Sequence, residues 1–185
     1  MVEALVQNRS LKENIAKRML AKPLIRAAAM VATGRADTMI AGADSPTKRV
    51  IEAASLAIGL QDGIHTPSSF FLMLFPDGRE MIFADCAVNV TPNAQELSGI
   101  AKVSSFSANA LLGASEVALL SFSTGTSGSG NSVDLVKEAS KLSGFVGPLQ
   151  ADAALNSTIA EKKGLGKGCA NVLIFPDLNA GNIAY

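Results

Sequence analysis

The chain has 185 residues, enough for one ordinary domain or for one domain plus part of another. Its formal net charge is +0, with Lys plus Arg and Asp plus Glu both at 16, so no basic excess exists to hold a nucleic-acid backbone or a membrane surface. Apolar residues make up 48% and aromatics only 5%, so a core has to be built from Ala, Val, Ile, Leu and the Phe side chains.

Residues 10 to 33 read as helical, because Ile15, Met19, Leu20, Leu24, Ala27, Ala28 and Val31 recur at helical spacing. Pro23 divides the stretch into two helices and Gly34 ends it as a C-terminal cap. Thr38 to Ala41 reads as a short buried strand leading into Gly42-Ala43-Asp44-Ser45-Pro46-Thr47. Ser45 is the expected N-cap and Pro46 the first residue of a helix that puts Val50, Ile51, Ala54, Ala57 and Ile58 on one face. Gly59 to Pro67 is a connecting stretch.

Ser69 to Phe75 and Glu80 to Ala84 read as strands, and Pro76-Asp77-Gly78 turns them into a hairpin. A helix is expected from Thr91 and Pro92, with Leu97, Ile100, Ala101 and Leu111 inward. Val117 to Phe122 is a buried strand, followed by a Ser/Thr/Gly loop and a helix from about Ser132 to Leu142. A short strand near Phe145 and Val146, a helix over Ala153 to Lys162 and a strand over Asn171 to Phe175 follow. After a Pro-Asp-Leu-Asn turn, a last helix begins and is cut at Tyr185. This alternation argues for an α/β fold with a mixed, mostly parallel sheet covered on both faces. A boundary is expected near residue 64. Residues 1–63 read as a partial first domain of helices plus one strand, and 64–185 as a second α/β domain truncated in its last helix.

The N-terminus shows no charged segment followed by an apolar core, so no signal peptide is read, and no apolar run approaches a membrane span. Cys86 and Cys169 match no metal-ligand spacing, and with His65 the only histidine no metal site is expected. Both cysteines read as free and buried in a reducing cytoplasm, and His65 as structural or exposed. Neither a nucleophile elbow nor a dinucleotide fingerprint is present.

In open α/β sheets ligands sit beyond the carboxyl ends of strands. Ser123-Thr124-Gly125-Thr126-Ser127-Gly128-Ser129-Gly130 occupies such a position. Its glycines and hydroxyls suit a phosphate-like anion at a helix start, or else a flexible surface loop. Gly42 to Thr47 is similar: Ser45 and Thr47 have hydroxyls for an anion, or serve as plain caps. Arg49, in the first turn of the helix that follows, reaches an anion or is solvated. Gln150 and Asp152 face the same crevice, or form a turn and a helix cap. Asp177, Asn179 and Asn182 bring polar groups to the last strand end.

Ala84-Asp85-Cys86-Ala87-Val88-Asn89, Leu119-Leu120-Ser121-Phe122-Ser123-Thr124-Gly125-Thr126-Ser127-Gly128, Gly147-Pro148-Leu149-Gln150-Ala151-Asp152-Ala153-Ala154 and Phe175-Pro176-Asp177-Leu178-Asn179-Ala180-Gly181-Asn182 occur in this order. Together they closely resemble the central portion of the phosphate acetyltransferase (phosphotransacetylase) and phosphate butyryltransferase family. Asp37-Thr38-Met39-Ile40-Ala41-Gly42 and Ser68-Ser69-Phe70-Phe71-Leu72-Met73 extend the match toward the N-terminus. The resemblance implies a three-layer α/β/α fold like that of the isocitrate and isopropylmalate dehydrogenases, in a cytoplasmic homodimer. It also implies reversible acetyl transfer between acetyl phosphate and coenzyme A, which is a substrate rather than a bound cofactor. The thiolate would attack the acetyl carbonyl directly, with arginines holding phosphate and an Asp as base.

The resemblance also implies that the 42–49 and 123–130 loops and the Pro-Asp-Leu-Asn segment line the cleft. Its substrate-binding positions are Ser45, Thr47, Arg49, Thr124, Gly125, Thr126, Ser127, Gln150, Asp152, Asn179, Asn182 and Tyr185. Family members are longer at both ends. Their downstream Asp-Leu-Ser-Arg-Gly block, with the base, a serine and a phosphate arginine, lies beyond Tyr185, so no catalytic residue is assigned here. Aligning Asn8-Arg9-Ser10-Leu11 with the family's basic lead-in puts Val6 where a substrate arginine belongs. Aligning Gly42 to Thr47 puts Glu52 where another belongs. Arg49 lies one turn back on the same helix face. The alternative expectation is a relative that binds coenzyme A or acyl phosphate without chemistry, or a fragment lacking the catalytic segment.

Overall fold

The computed structural model describes residues 1–9 and 12–185, and the side chains of these except 4, 7, 8 and 9. The expected start of the first helix at residues 10 and 11 lies outside the described residues, as does most of the 8–11 lead-in. Backbone contacts divide the chain into two compact units, Met1–Gly63 and Ile64–Tyr185.

The first unit is helical: α1 (Val2–Arg9), α2 (Glu13–Leu20), α3 (Pro23–Ala32) and α4 (Thr47–Ala57). Pro23 sits at the first position of α3, where a fixed φ and a missing N–H cost nothing, and α2 ends just before it. Gly34 follows the Thr33 cap at φ 65 and accounts for the expected stop. The helices bury Leu5, Ala16, Ile25, Ala28, Ala29, Ala53 and Ala57 against one another.

Two expectations are corrected here. Thr38 to Ala41 is not a strand, and Ile40 is 98% exposed. A strand needs a neighbour to take its N–H and C=O groups, and this unit has no strand among its described residues to provide one. Ser45 does not cap α4: Pro46 holds the N-cap position with extended backbone and the helix starts at Thr47. The helix α1 was not legible beforehand, because its 8 residues are too few to show a repeating apolar face.

The second unit is a three-layer α/β/α sandwich. Its sheet contains β1 (Phe70–Leu74), β2 (Glu80–Ala84), β3 (Val117–Leu120), β4 (Val146–Leu149) and β5 (Val172–Ile174), in the order β1-β2-β5-β3-β4. The β1–β2 pair is antiparallel, from Phe70 opposite Ala84 to Leu74 opposite Glu80, and the remaining pairs are parallel. The helices are α5 (Ala94–Leu112), α6 (Asn131–Ser143), α7 (Ala151–Leu155), α8 (Ser157–Lys163) and α9 (Leu178–Ala184).

Strand residues alternate between the two faces. Ile82, Ala84, Val117, Leu119, Val172 and Ile174 pack with Leu97, Ile100, Ala101 and Ala108 of α5 and with Val136 and Ala139 of α6. Met81, Phe83, Ala118, Leu120, Leu173 and Phe175 pack with Ala153 and Ala154 of α7, Ile159 of α8 and Ala180 of α9. Burial on both faces is why the central strands read as unbroken apolar runs.

Several boundaries shift for local reasons. The helix α5 starts at Ala94 rather than at Thr91, because Asn93 and Glu96 form a reciprocal capping box, with bonds of 3.0 and 2.8 Å. Leu111, expected inward, is 55% exposed, and Leu112 packs on the core instead. The single helix expected over 153–162 is two, divided at Asn156, whose side chain caps α8. Phe122 lies beyond β3 and is exposed.

Candidate functional site

The parallel strands β2, β5, β3 and β4 all end at the same edge of the sheet. That edge therefore carries Asp85–Val90, Pro176–Asn182, Ser121–Gly130 and Gln150–Asp152. The chain leaves β3 for α6 on one face of the sheet, and leaves the adjacent β5 for α9 on the other face. Loops that part in this way from neighbouring strands open a crevice between them, the usual ligand position in a doubly wound sheet.

Asp85 organises the β2 end. It is 3% exposed, and its carboxylate accepts from the backbone N–H groups of Ala87 at 3.0 Å, Val88 at 3.2 Å and Asn89 at 2.7 Å. It also accepts from the Ser69 hydroxyl and the Asn89 side-chain amide. That amide donates in turn to the Pro67 carbonyl at 2.8 Å. A buried carboxylate is tolerable when its lone pairs are filled in this way. Next to it, burial and then the Asp85 charge push the Cys86 thiol up to about 12. Cys86 is therefore a buried thiol rather than a nucleophile. Cys169, read as buried, is exposed.

The segment after β5 is held against this loop. Asp177 caps α9 by accepting from the Ala180 N–H at 2.9 Å. The Leu178 N–H donates to the Val90 carbonyl at 3.1 Å, and Asn182 Nδ2 to the Cys86 carbonyl at 3.3 Å. Gly181 faces the Asp85 carbonyl so closely that a Cβ there would lie 2.4 Å from it. Asn182 also donates to the Tyr185 hydroxyl at 3.1 Å, and the Tyr185 ring stacks on Phe71 with centroids 4.0 Å apart. Asn179 is exposed.

The Ser/Thr/Gly loop is tied to itself and to β4. Ser123 Oγ accepts from the Gly128 N–H at 2.8 Å, and Ser127 Oγ from the Thr124 N–H at 3.0 Å. The Gly125 N–H donates to the Pro148 carbonyl at 3.0 Å, and the Ser127 N–H to the Thr124 carbonyl at 3.1 Å. These amides are thus engaged within the protein. Thr126, Ser127 and Ser129 are exposed, while Ser123 and Thr124 are buried.

Thr124 joins the loop to Gln150: its Oγ1 accepts from the Gln150 N–H at 3.0 Å and donates to Gln150 Oε1 at 3.3 Å. Lys163 of α8, which sequence reasoning did not single out, donates to the same Oε1 at 2.9 Å. It also reaches both oxygens of Asp152, at 2.8 and 2.9 Å. Its hydrogen bond is the main cause holding the Asp152 carboxyl below the usual carboxylate range. No sequence pattern marks Lys163, because it lies in a run of charges that reads as a solvated helix end.

The remaining expected residues belong to the first unit. Asp44, Ser45, Arg49 and Glu52 line a cavity of about 770 Å³ together with Lys22 and apolar groups of α2 and α3. Thr47 is exposed in the first turn of α4. Val6 packs against the helical core of this unit. Among the described residues no group of His, Cys, Asp and Glu gathers as a metal site, and no helix is long and apolar enough to cross a membrane.

Residues 1–185 match the family model described as phosphate acetyl/butaryl transferase. The chain is 40% identical over 195 residues to a phosphate acetyltransferase of Nitrosomonas europaea, covering 100% of this chain and 28% of that protein. It is 43% identical over 172 residues to a phosphate acetyltransferase of Thermoanaerobacterium thermosaccharolyticum, covering 84% of this chain and 52% of that one. It superposes on the EutD phosphotransacetylase from Staphylococcus aureus with a TM-score of 0.87 and 33% identity, over 100% of this chain and 60% of that chain. The chain thus spans about a quarter to a half of the length of these two curated relatives.

Proposed function

The chain belongs to the phosphate acetyl/butaryl transferase family, and on that premise we propose that it takes part in reversible acetyl transfer between acetyl phosphate and coenzyme A. The observation that carries this reading is the crevice edge, where the family-like segments at Asp85, Ser123, Gln150 and Asp177 all emerge from strand ends of one sheet. In the reaction the thiolate sulfur of coenzyme A attacks the acetyl carbonyl, the C–O bond to phosphate breaks, and phosphate leaves with the electron pair. Such chemistry asks for clamping of anions and orientation more than for covalent catalysis.

In this reading coenzyme A and acyl phosphate are substrates held by the crevice residues of the second unit. Ser45, Thr47 and Arg49 are the anion-binding groups proposed for the first unit. Residues 1–63 and 64–185 act as two domains, and the working form is a cytoplasmic homodimer. The free thiols of Cys86 and Cys169 fit a reducing compartment.

Glu52 favours a second reading, because it lines the same cavity as Arg49, where a carboxylate repels phosphate. Val6, half-buried in an apolar cluster, offers no charge to replace it. Under this reading the chain binds its ligands without turning them over. The test is acetyl-coenzyme A formation from acetyl phosphate and coenzyme A, followed by thioester absorbance, for the chain and for Arg49→Ala. Turnover that falls by about 10²–10³ in the variant supports the transferase with Arg49 as the clamp. A rise in melting temperature with either ligand, and no product, selects the binding-only reading. Neither turnover nor a shift from folded protein defeats both.

A further inference from the structure

We propose that Lys163 is a positioning residue of the crevice. It pins the carbonyl end of the Gln150 amide, so that the NH₂ end is presented to a hydrogen-bond-accepting oxygen of the bound substrate. The inference rests on the acyltransferase reading above and adds to it a residue and a polarity. An ammonium has only donors, and three of them. Gln150 Oε1 at 2.9 Å takes one, and the two Asp152 oxygens at 2.8 and 2.9 Å, too close together to meet two separate N–H directions, share another. Asp152 thus anchors the ammonium beside the amide, and the role assigned to Lys163 is the one it exerts through Gln150.

That contact also fixes which way the amide points. A carboxamide turned over would set Nε2 against Nζ, donor against donor, so Oε1 must be the atom that faces Lys163. The Thr124 hydroxyl agrees: it accepts from the Gln150 backbone N–H and has its own proton to give to Oε1. Both partners hold the acceptor end of the amide. The two N–H groups of Nε2 have no protein partner among the described residues, although Gln150 is half-buried at the end of β4. A half-buried donor pair, oriented from behind and unmatched in front, suits a carbonyl or phosphoryl oxygen. Acetyl phosphate and the amide-bearing arm of coenzyme A both offer one.

The test uses the whole chain with Lys163→Met, Lys163→Arg, Gln150→Met and the double variant Lys163→Met/Gln150→Met. Dissociation constants are measured separately for coenzyme A and for acetyl phosphate. The expected result is a loss of about tenfold for one ligand in Lys163→Met and in Gln150→Met, with recovery in Lys163→Arg. The double variant loses no more than Gln150→Met alone, because the lysine acts only through the amide. The ligand whose affinity falls identifies the source of the oxygen. Unchanged affinity in Lys163→Met, or losses that add in the double variant, overturns the proposal.

A ligand-free signature separates this proposal from the reading beneath it. The side-chain amide resonances of Gln150 are expected to be distinct in the parent and to collapse toward free-glutamine positions in Lys163→Met. If they do not move, the positioning role fails whatever binds. If they move but neither ligand binds the parent chain, the acyltransferase reading fails while the orientation of Gln150 stands.

Discussion

The two units are built from nearly opposite materials. The second buries Ile82, Leu97, Ile100, Leu119, Val136, Val172 and Ile174 on one sheet face and a second apolar layer on the other. The first buries Leu5 and Ile25, but otherwise mostly alanine. Full burial of a Val, Leu or Ile side chain contributes roughly 1.5–3 kcal/mol, whereas the single methyl of alanine contributes on the order of 0.8 kcal/mol. The sheet unit can therefore hold buried polar features at its strand ends, and the helical unit has less to hold with. The difference teaches where precision is affordable: the densely bonded crevice lies on the unit with the larger core.

The sharpest way to break this comparison is Gly181→Ala. The added Cβ meets the Asp85 carbonyl at 2.4 Å, so α9 or the β2 end must move. A cost of about 3 kcal/mol is expected, the upper range for overpacking. Cys86 reports it, because its buried thiol, pushed up to about 12, reacts only when the second unit opens, whereas exposed Cys169 labels at once. Labelling of Cys86 should accelerate while amide exchange in α3 stays as in the parent. If exchange in α3 rises in step, the two units unfold as one and the contrast between them loses its meaning.

A smaller effect is expected from Asp85→Asn. The substitution places an amide NH₂ among the N–H groups of Ala87, Val88 and Asn89 and leaves part of that set unmatched. A loss of about 2 kcal/mol follows from one buried unsatisfied donor. It is read as a lower denaturation midpoint for the second unit, with exchange fastest at residues 87–90.

The smallest effect is on the acid limb. Lys163 holds the Asp152 carboxyl below its ordinary 3.8 in the fold. A depressed folded value means that the stabilisation is present above the unfolded value and is lost as pH falls through the folded one. The melting temperature should therefore drop below about pH 4, and Asp152→Asn should flatten that part of the curve. Both groups are partly exposed, so the effect is small and salt-sensitive. Glu13, held down mainly by its hydrogen bond from Lys17, gives the first unit an exposed pair of the same kind for comparison.

The sheet was legible because buried strands and their turns leave local marks. Apolar runs at 70–75, 81–84, 117–120 and 172–175 are each closed by Pro, Asp or Ser. The hairpin and the crevice loops followed from those ends. What failed was anything whose meaning lies in a partner elsewhere. Thr38 to Ala41 has a strand's composition, but its unit has no strand among the described residues to pair with it. Lys163 looks like an ordinary helix-end cation until α8 folds back against Gln150. The anion-like look of the 123–130 loop came from its hydroxyls, and the fold spends several of these on its own amides.

The most direct test of the central claim, that the crevice of the second unit holds the substrate, is amide hydrogen exchange with and without saturating coenzyme A. Slower exchange concentrated at 123–130, 150–152 and 178–182 is the predicted result. Binding that protects only other segments, or no protection at any concentration from folded protein, would contradict it.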